Sequence, residues 1–179
     1  MALIDVVVFL VSGLSAFLDC RTRKIPNWLI SIGLLSGVLL NAINGASQFL
    51  QSILGVVFGV VVLLVPFACG WIGAGDVKFF GVVGALLGVN WLPRVFFYSA
   101  LVAGVIAFGY VIVGSGRLSR VREMWLDLRL VMVSLGRVLP DPVHKRTLNR
   151  GDSVPWGVAF AAGTIIAYYF DPTGKWAGF

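Results

Sequence analysis

The stretch Gly70-Trp71-Ile72-Gly73-Ala74-Gly75-Asp76-Val77-Lys78 stands between two long apolar runs. It holds three glycines in six residues, then one carboxylate, then one lysine. An ionisable side chain at the edge of a hydrophobic segment is costly, and where one occurs a functional role is the first hypothesis. Glycine permits tight turns and close approach of another chain. Gly-x-Gly-Asp therefore describes a carboxylate on a flexible, uncrowded corner. The same residues also suit a short turn between helices whose Asp caps the helix that follows. The motif alone leaves both readings open.

The flanking sequence sets the class of protein. The 179 residues are 59% hydrophobic and only 12% charged, with a mean hydropathy of +0.95. Long apolar stretches at this charge density mean an integral membrane protein rather than a soluble core. The length suits one domain, residues 1–179. Apolar segments run over 2–18, 28–43, 49–71, 77–91, 95–113 and 154–170. The expectation is an all-α membrane protein, a bundle of six transmembrane helices. A spanning helix takes about 20 residues. The second and fourth segments are short, which bilayer thinning and helix packing accommodate. Gly33 and Gly37, Gly55 and Gly59, and Gly81, Gly84 and Gly88 recur at spacings that let helices pack closely.

Lys and Arg in the connecting segments set orientation. Arg21, Arg23 and Lys24 follow the first segment, and Lys78 borders the third connection. Eight more lie in the long loop 114–153, so twelve of the fourteen basic residues fall on one side. Only Arg94 and Lys175 fall on the other. Odd-numbered loops are therefore expected at the cytoplasmic face and both termini outside. The net charge of +6 is accounted for by this topology, and no nucleic-acid partner is needed. The first residues lack a basic region and a clear small-residue cleavage site, so the first segment is expected to be a retained anchor. Within the long loop, Leu118, Val121, Trp125, Leu128, Met132, Leu135 and Leu139 fall at three- and four-residue steps. That spacing predicts an amphipathic cytoplasmic helix between spans 5 and 6, lying in the interface or on the bundle end. Pro140-Asp141-Pro142 ends it.

Asp19 closes the first segment and Asp76 opens the fourth. The topology puts both at the cytoplasmic surface, and a six-helix bundle can bring those ends together. Asp5 and Asp171 lie toward the outer side, and the four remaining acids fall in the polar loop. Two carboxylates a few ångströms apart cannot both ionise easily, so they share a proton. Such a pair can activate a water against a peptide carbonyl. Cys20, beside Asp19, has no activating base, and a lone cysteine of that kind is more often inert. His144 is the only histidine and lies in the loop. Cys20, Cys69 and His144 make no metal-ligand spacing, so no structural zinc is expected. Mg²⁺ would want oxygen ligands beyond the two carboxylates. No metal and no cofactor are expected.

Asp19-x-Arg21-x-x-x-Ile25-Pro26-Asn27, then a span, then Gly73-x-Gly75-Asp76-Val77-Lys78, resembles the prepilin peptidase family, membrane aspartic peptidases of the Gly-x-Gly-Asp type. Val154-Pro155-Trp156-Gly157-Val158-Ala159 resembles that family's closing motif, with Trp where Tyr or Phe is common. The resemblance runs in order through nearly the whole chain. It implies that Asp19 and Asp76 are the catalytic pair, and that Gly73, Gly75, Lys78, Lys24, Pro26 and Asn27 shape the site. For Lys78 an interfacial anchor is the plainer role. The implied partner is a type IV pilin-like or pseudopilin precursor. Its basic leader would be cut at the cytoplasmic face of the inner membrane, usually after a glycine, while its hydrophobic helix stays in the bilayer. Larger members carry a cytoplasmic segment with paired CxxC cysteines and N-methylate the trimmed pilin. This chain lacks that segment, so methyl transfer is not expected. The compact form looks most like peptidases of tight-adherence (Flp) pilus systems, and archaeal preflagellin peptidases are similarly compact.

Two other functions share parts of this pattern. Presenilin-like intramembrane peptidases carry their first Asp in a Tyr-Asp pair deeper in a helix and close with Pro-Ala-Leu. Here a basic loop follows Asp19 and Val154-Pro155-Trp156 stands in the closing position. A transporter or pilus-assembly subunit would favour charged or broken helices near the midplane, whereas these carboxylates sit at segment ends.

Overall fold

The computed structural model describes residues 3–22, 24–113, 125, 126, 129, 133 and 156–173. Six α-helices and no strand occur among the described residues. They are α1 (Leu3–Thr22), α2 (Asn27–Ile43), α3 (Ala46–Ala68), α4 (Ala74–Leu87), α5 (Leu92–Val113) and α6 (Trp156–Phe170). A single 3-10 turn, Val89–Trp91, joins α4 to α5. The amphipathic helix expected within 118–139 and the loop 114–153 lie outside the described residues, apart from four isolated positions.

Three segments are long and apolar enough to cross a membrane: Leu3–Thr22, Ala46–Ala68 and Val89–Gly109. Asn27–Ile43 and Trp156–Phe170 are shorter apolar helices. Large apolar side chains on α1, α2, α3 and α5 face outward, among them Leu10, Phe17, Leu35, Leu39, Val57, Leu101 and Phe108. In water such a surface would be untenable at this extent. Against lipid it is the expected exterior, and the molecule is a helical membrane protein.

Several helix ends depart from the apolar segments, each for a local reason. α1 continues one turn past Leu18. The Thr22 hydroxyl donates to Leu18 O at 2.9 Å, and Arg21 in the last turn suits the negative end of the helix. α3 stops at Ala68 rather than running to Trp71. Gly70 takes φ +73°, Trp71 N–H donates to Pro66 O (3.0 Å) and Gly70 N–H donates to Phe67 O (2.9 Å). These bonds make a Schellman cap, in which a left-handed glycine ends the helix. α4 starts at Ala74, three residues before the apolar segment.

The core is built around α4. Nearly all of Val77–Leu86 is buried, with Phe79, Phe80, Val82 and Ala85 at or near zero exposure. Glycines on α2 and α3 make room for it. A Cβ on Gly37 would sit 2.8 Å from Ala85 C, and one on Gly59 would sit 3.0 Å from Phe80 O. Gly55 and Gly84 meet backbone to backbone, with no space for a side chain on either. The last carbonyls of a helix need partners from elsewhere. Asn41 Nδ2 donates to Ala85 O (3.0 Å) and Leu86 O (3.2 Å), and Ser52 Oγ donates to Ala85 O (2.7 Å).

α6 packs against α1 and α5, and Phe80 stacks on Phe160 with ring centroids 5.1 Å apart. The α1 N-terminus and α6 C-terminus are tied by the Tyr168 hydroxyl, which donates to Asp5. Nearby, Tyr98 OH donates to Asp171 Oδ2 (3.1 Å), and Arg94 Nη1 donates to Asp171 O (3.1 Å) and Pro172 O (2.7 Å). This polar cluster pins one end of the bundle. Asp19 and Asp76 lie at the other.

Candidate active site

Asp76 is placed by the first turn of α4. Gly73 is the N-cap, in extended conformation at φ −78° and ψ 154°. Asp76 is the third helical residue, and its Oδ2 accepts a hydrogen bond from Gly73 N–H at 3.1 Å. This is the returning half of a capping box. The carboxylate therefore caps its own helix. It is held rather than loose on a flexible corner, and Gly75 is already helical. A Cβ on Gly75 would meet Ile25 at an ordinary 3.6 Å.

Asp19 lies in the last turn of α1 and is 6% exposed. Its Oδ2 accepts a hydrogen bond from Val158 N–H at 3.2 Å, at the start of α6. The carboxylate lies across Gly157, where a Cβ would come within 2.7 Å of Oδ2 and 2.8 Å of Cγ. The start of α6 thus meets the end of α1 at a carboxylate.

Asp19, Lys24, Ile25, Gly73, Ala74, Gly75 and Asp76 line one cavity of about 370 Å³. Asp76 precedes the apolar segment that begins at Val77. Its carboxyl is pushed up from 3.8 to about 7, first by burial and second by the negative charge of Asp19; the Gly73 hydrogen bond pulls in the opposite direction. Burial and the neighbouring Asp19 charge thus both favour the protonated form of Asp76. No group of three or more His, Cys, Asp or Glu side chains suited to a metal ion occurs among the described residues.

Of the residues singled out in the sequence, Asp19, Asp76, Gly73, Gly75 and Lys24 meet at this cavity. Lys78 and Asn27 stand beside it and bind each other, Lys78 Nζ donating to Asn27 Oδ1 at 3.1 Å. That bond ties the start of α4 to the start of α2. Pro26 is the N-cap residue of α2, and its carbonyl accepts from Leu29 N–H at 3.1 Å. Ile25 and Ala74 in the lining, and Gly157 and Val158 against Asp19, were not foreseen as site residues. Val158 contributes a backbone N–H, which leaves no trace in residue type. For Gly157 the closing motif was the only signal.

The fold and the cavity define a class: a polytopic helical membrane protein with two acids at one end of its bundle. The chain belongs to the type IV leader peptidase family, whose model matches residues 6–108 and so takes in both Asp19 and Asp76. It is also similar to a prepilin leader peptidase/N-methyltransferase of Bacillus subtilis (strain 168), with 27% identity over 157 residues. That match covers 87% of this chain and 50% of the relative, so the chain spans about half the length of the curated protein it matches. No solved structure matches it.

Proposed function

We propose that this protein is a membrane aspartic endopeptidase that removes the basic leader of pilin-like precursors at the cytoplasmic face of the inner membrane. The observation that carries the reading is one cavity lined by both Asp19 and Asp76; burial and the Asp19 charge also push the Asp76 carboxyl up to about 7. Family membership makes a leader peptidase of this class the natural assignment.

In the proposed reaction the ionised Asp19 takes a proton from a water as its oxygen bonds to the scissile carbonyl carbon. Asp76 donates its proton toward the carbonyl oxygen, which becomes a hydroxyl of the tetrahedral intermediate. Asp19, now protonated, gives its proton to the leaving amide nitrogen as the C–N bond breaks. Asp76 recovers the hydroxyl proton as the new carboxyl group forms. The two carboxylates end as they began. Lys24 borders the cavity. The bare backbone at Gly73 and Gly75 leaves space for an extended peptide to approach the pair.

Six crossings are proposed, α4 being the most enclosed. The fourth crossing is taken as 77–91, which leaves Asp76 outside at its cytoplasmic end; α4 is about 21 Å long, less than the hydrocarbon thickness. Its neighbours cover it, so it needs no full lipid-facing length. Substrates of the tight-adherence (Flp) type, cleavage without N-methylation, and outward-facing termini complete the proposal.

The test uses purified protein in detergent or liposomes with a pilin-like precursor bearing a short basic leader. Asp19→Asn and Asp76→Asn should each lower cleavage by about 10²–10⁴-fold, the range for loss of a general acid or base. Cleavage at the wild-type rate by either folded variant would remove the proposal.

A further inference from the structure

Two glycines of α6 are crowded in different ways. A Cβ on Gly163 would collide with Ser99 of α5, with its hydroxyl oxygen first and then with its backbone, 2.5 Å from N and 2.6 Å from Cα. That is helix-to-helix packing. A Cβ on Gly157 would strike Asp19 alone among its nearest neighbours: Oδ2 at 2.7 Å, Cγ at 2.8 Å and Cβ at 3.1 Å. The neighbouring Val158 N–H donates to that same Oδ2 at 3.2 Å. Val158 is third in α6, where backbone N–H groups have no partner within the helix. So the Asp19 carboxylate occupies the volume that a side chain at 157 would fill, and is anchored there by the next residue.

We infer that Gly157 is a positioning residue for Asp19, its missing side chain seating the carboxylate on the α6 N-terminus and toward the cavity it shares with Asp76. The inference rests on the aspartate-pair reading above. With any side chain at 157, either Asp19 swings away from Val158 or α6 moves off α1. A displacement of about 1 Å in a reacting group lowers turnover on the order of 10²-fold. Several charged groups lie near Asp19 among the described residues. Asp76 and Lys24 share its cavity, Lys78 is bound to Asn27 beside it, and Arg21 on its own helix lies over the Phe17 ring at 4.9 Å. A shift of Asp19 changes its distance from Asp76, and with it the charge that Asp76 feels.

The experiment compares Gly157→Ala with Gly163→Ala in the full-length protein, measuring kcat, KM, the pH profile of kcat and thermal stability in detergent. Gly157→Ala is expected to lower kcat at least tenfold, with KM within twofold, and to displace the alkaline limb of the profile. Gly163→Ala is expected to lower stability and leave that limb in place. Should Gly157→Ala fail to fold, Val158→Pro removes the donor without adding bulk at 157. Proline is tolerated in a first helical turn. Losing a hydrogen bond to the ionised pair should move the limb to higher pH.

A Gly157→Ala enzyme with wild-type kcat and limb overturns the inference, as does a loss that tracks stability with the limb unmoved. So does a folded Val158→Pro enzyme with both unchanged. If any of these three results comes while Asp19→Asn and Asp76→Asn are inactive, only the role of Gly157 falls. If the Asn variants cleave normally, the aspartate-pair reading falls and this one with it.

Discussion

Opposing influences act on the Asp76 carboxyl. As the α4 cap it is favoured ionised by Gly73 N–H, yet burial and Asp19 together raise its carboxyl to about 7. For the proposed reaction the sign is direct. Asp76 must carry the proton, and it loses that proton as pH rises through about 7. Cleavage should hold just below that point and fall about tenfold per pH unit well above it, as a pH–kcat profile would show. A flat profile from pH 6 to 9 would contradict the assignment.

The same proton links to stability. The unfolded chain's Asp titrates near 3.8, so between about pH 4 and 7 the native state binds more protons than the unfolded one. Stability attributable to this group therefore falls as pH rises across that window. Asp76→Asn should melt higher than wild type at pH 8 and show much less difference at pH 5, measured by thermal unfolding in detergent. At this scale the acids were legible in the sequence because an ionisable group at the end of an apolar run is conspicuous. Gly157 was not, because a glycine that leaves room for a carboxylate looks like one that leaves room for a helix.

Helices in lipid have little hydrophobic reason to associate, and close backbone contact does much of that work. α4 shows it. Gly55 meets Gly84, Gly37 meets Ala85, and Asn41 and Ser52 bind the last α4 carbonyls. Gly84→Ala should destabilise by about 1–3 kcal/mol, the usual cost of overpacking. Gly104→Ala on α5 is the control. Among the described residues nothing lies within 4 Å of a Cβ there, and the exchange should be neutral or stabilising by about 0.5–1 kcal/mol. Chemical or thermal unfolding in detergent separates the two, and equal effects would mean that α3 and α4 are not in backbone contact. The glycine spacings announced close packing, and their partners are now identified. Helix ends were less legible. Apolar composition continues through Gly70 and Trp71, but the left-handed turn at Gly70 stops α3 before them.

Across the whole molecule, the two ends of the bundle differ in chemistry. One carries the Tyr168–Asp5 pair and the Arg94–Asp171–Tyr98 group; the other carries the carboxyl cavity and the basic residues Arg21, Lys24 and Lys78. The basic end is the proposed cytoplasmic face. Cys20 is exposed beside Asp19, and Cys69 is fully buried. A membrane-impermeant maleimide should therefore label Cys20 in inside-out vesicles and leave it unlabelled in sealed right-side-out ones. Cys69 should react only after unfolding. The reverse pattern at Cys20 would invert the topology and put the cavity outside.

Composition and periodicity alone determined that this chain is helical and membrane-embedded, and which two acids stand apart from the rest. Those properties are local: hydropathy summed along a segment, and a charge at its edge. Only the tertiary structure decided that α4 is the enclosed helix, that Lys78 binds Asn27, and that α6 brings Gly157 and Val158 against Asp19. Residues 19 and 158 meet because the bundle brings the end of α1 beside the start of α6. A contact between a carboxylate and a distant backbone N–H is written in no side chain's identity.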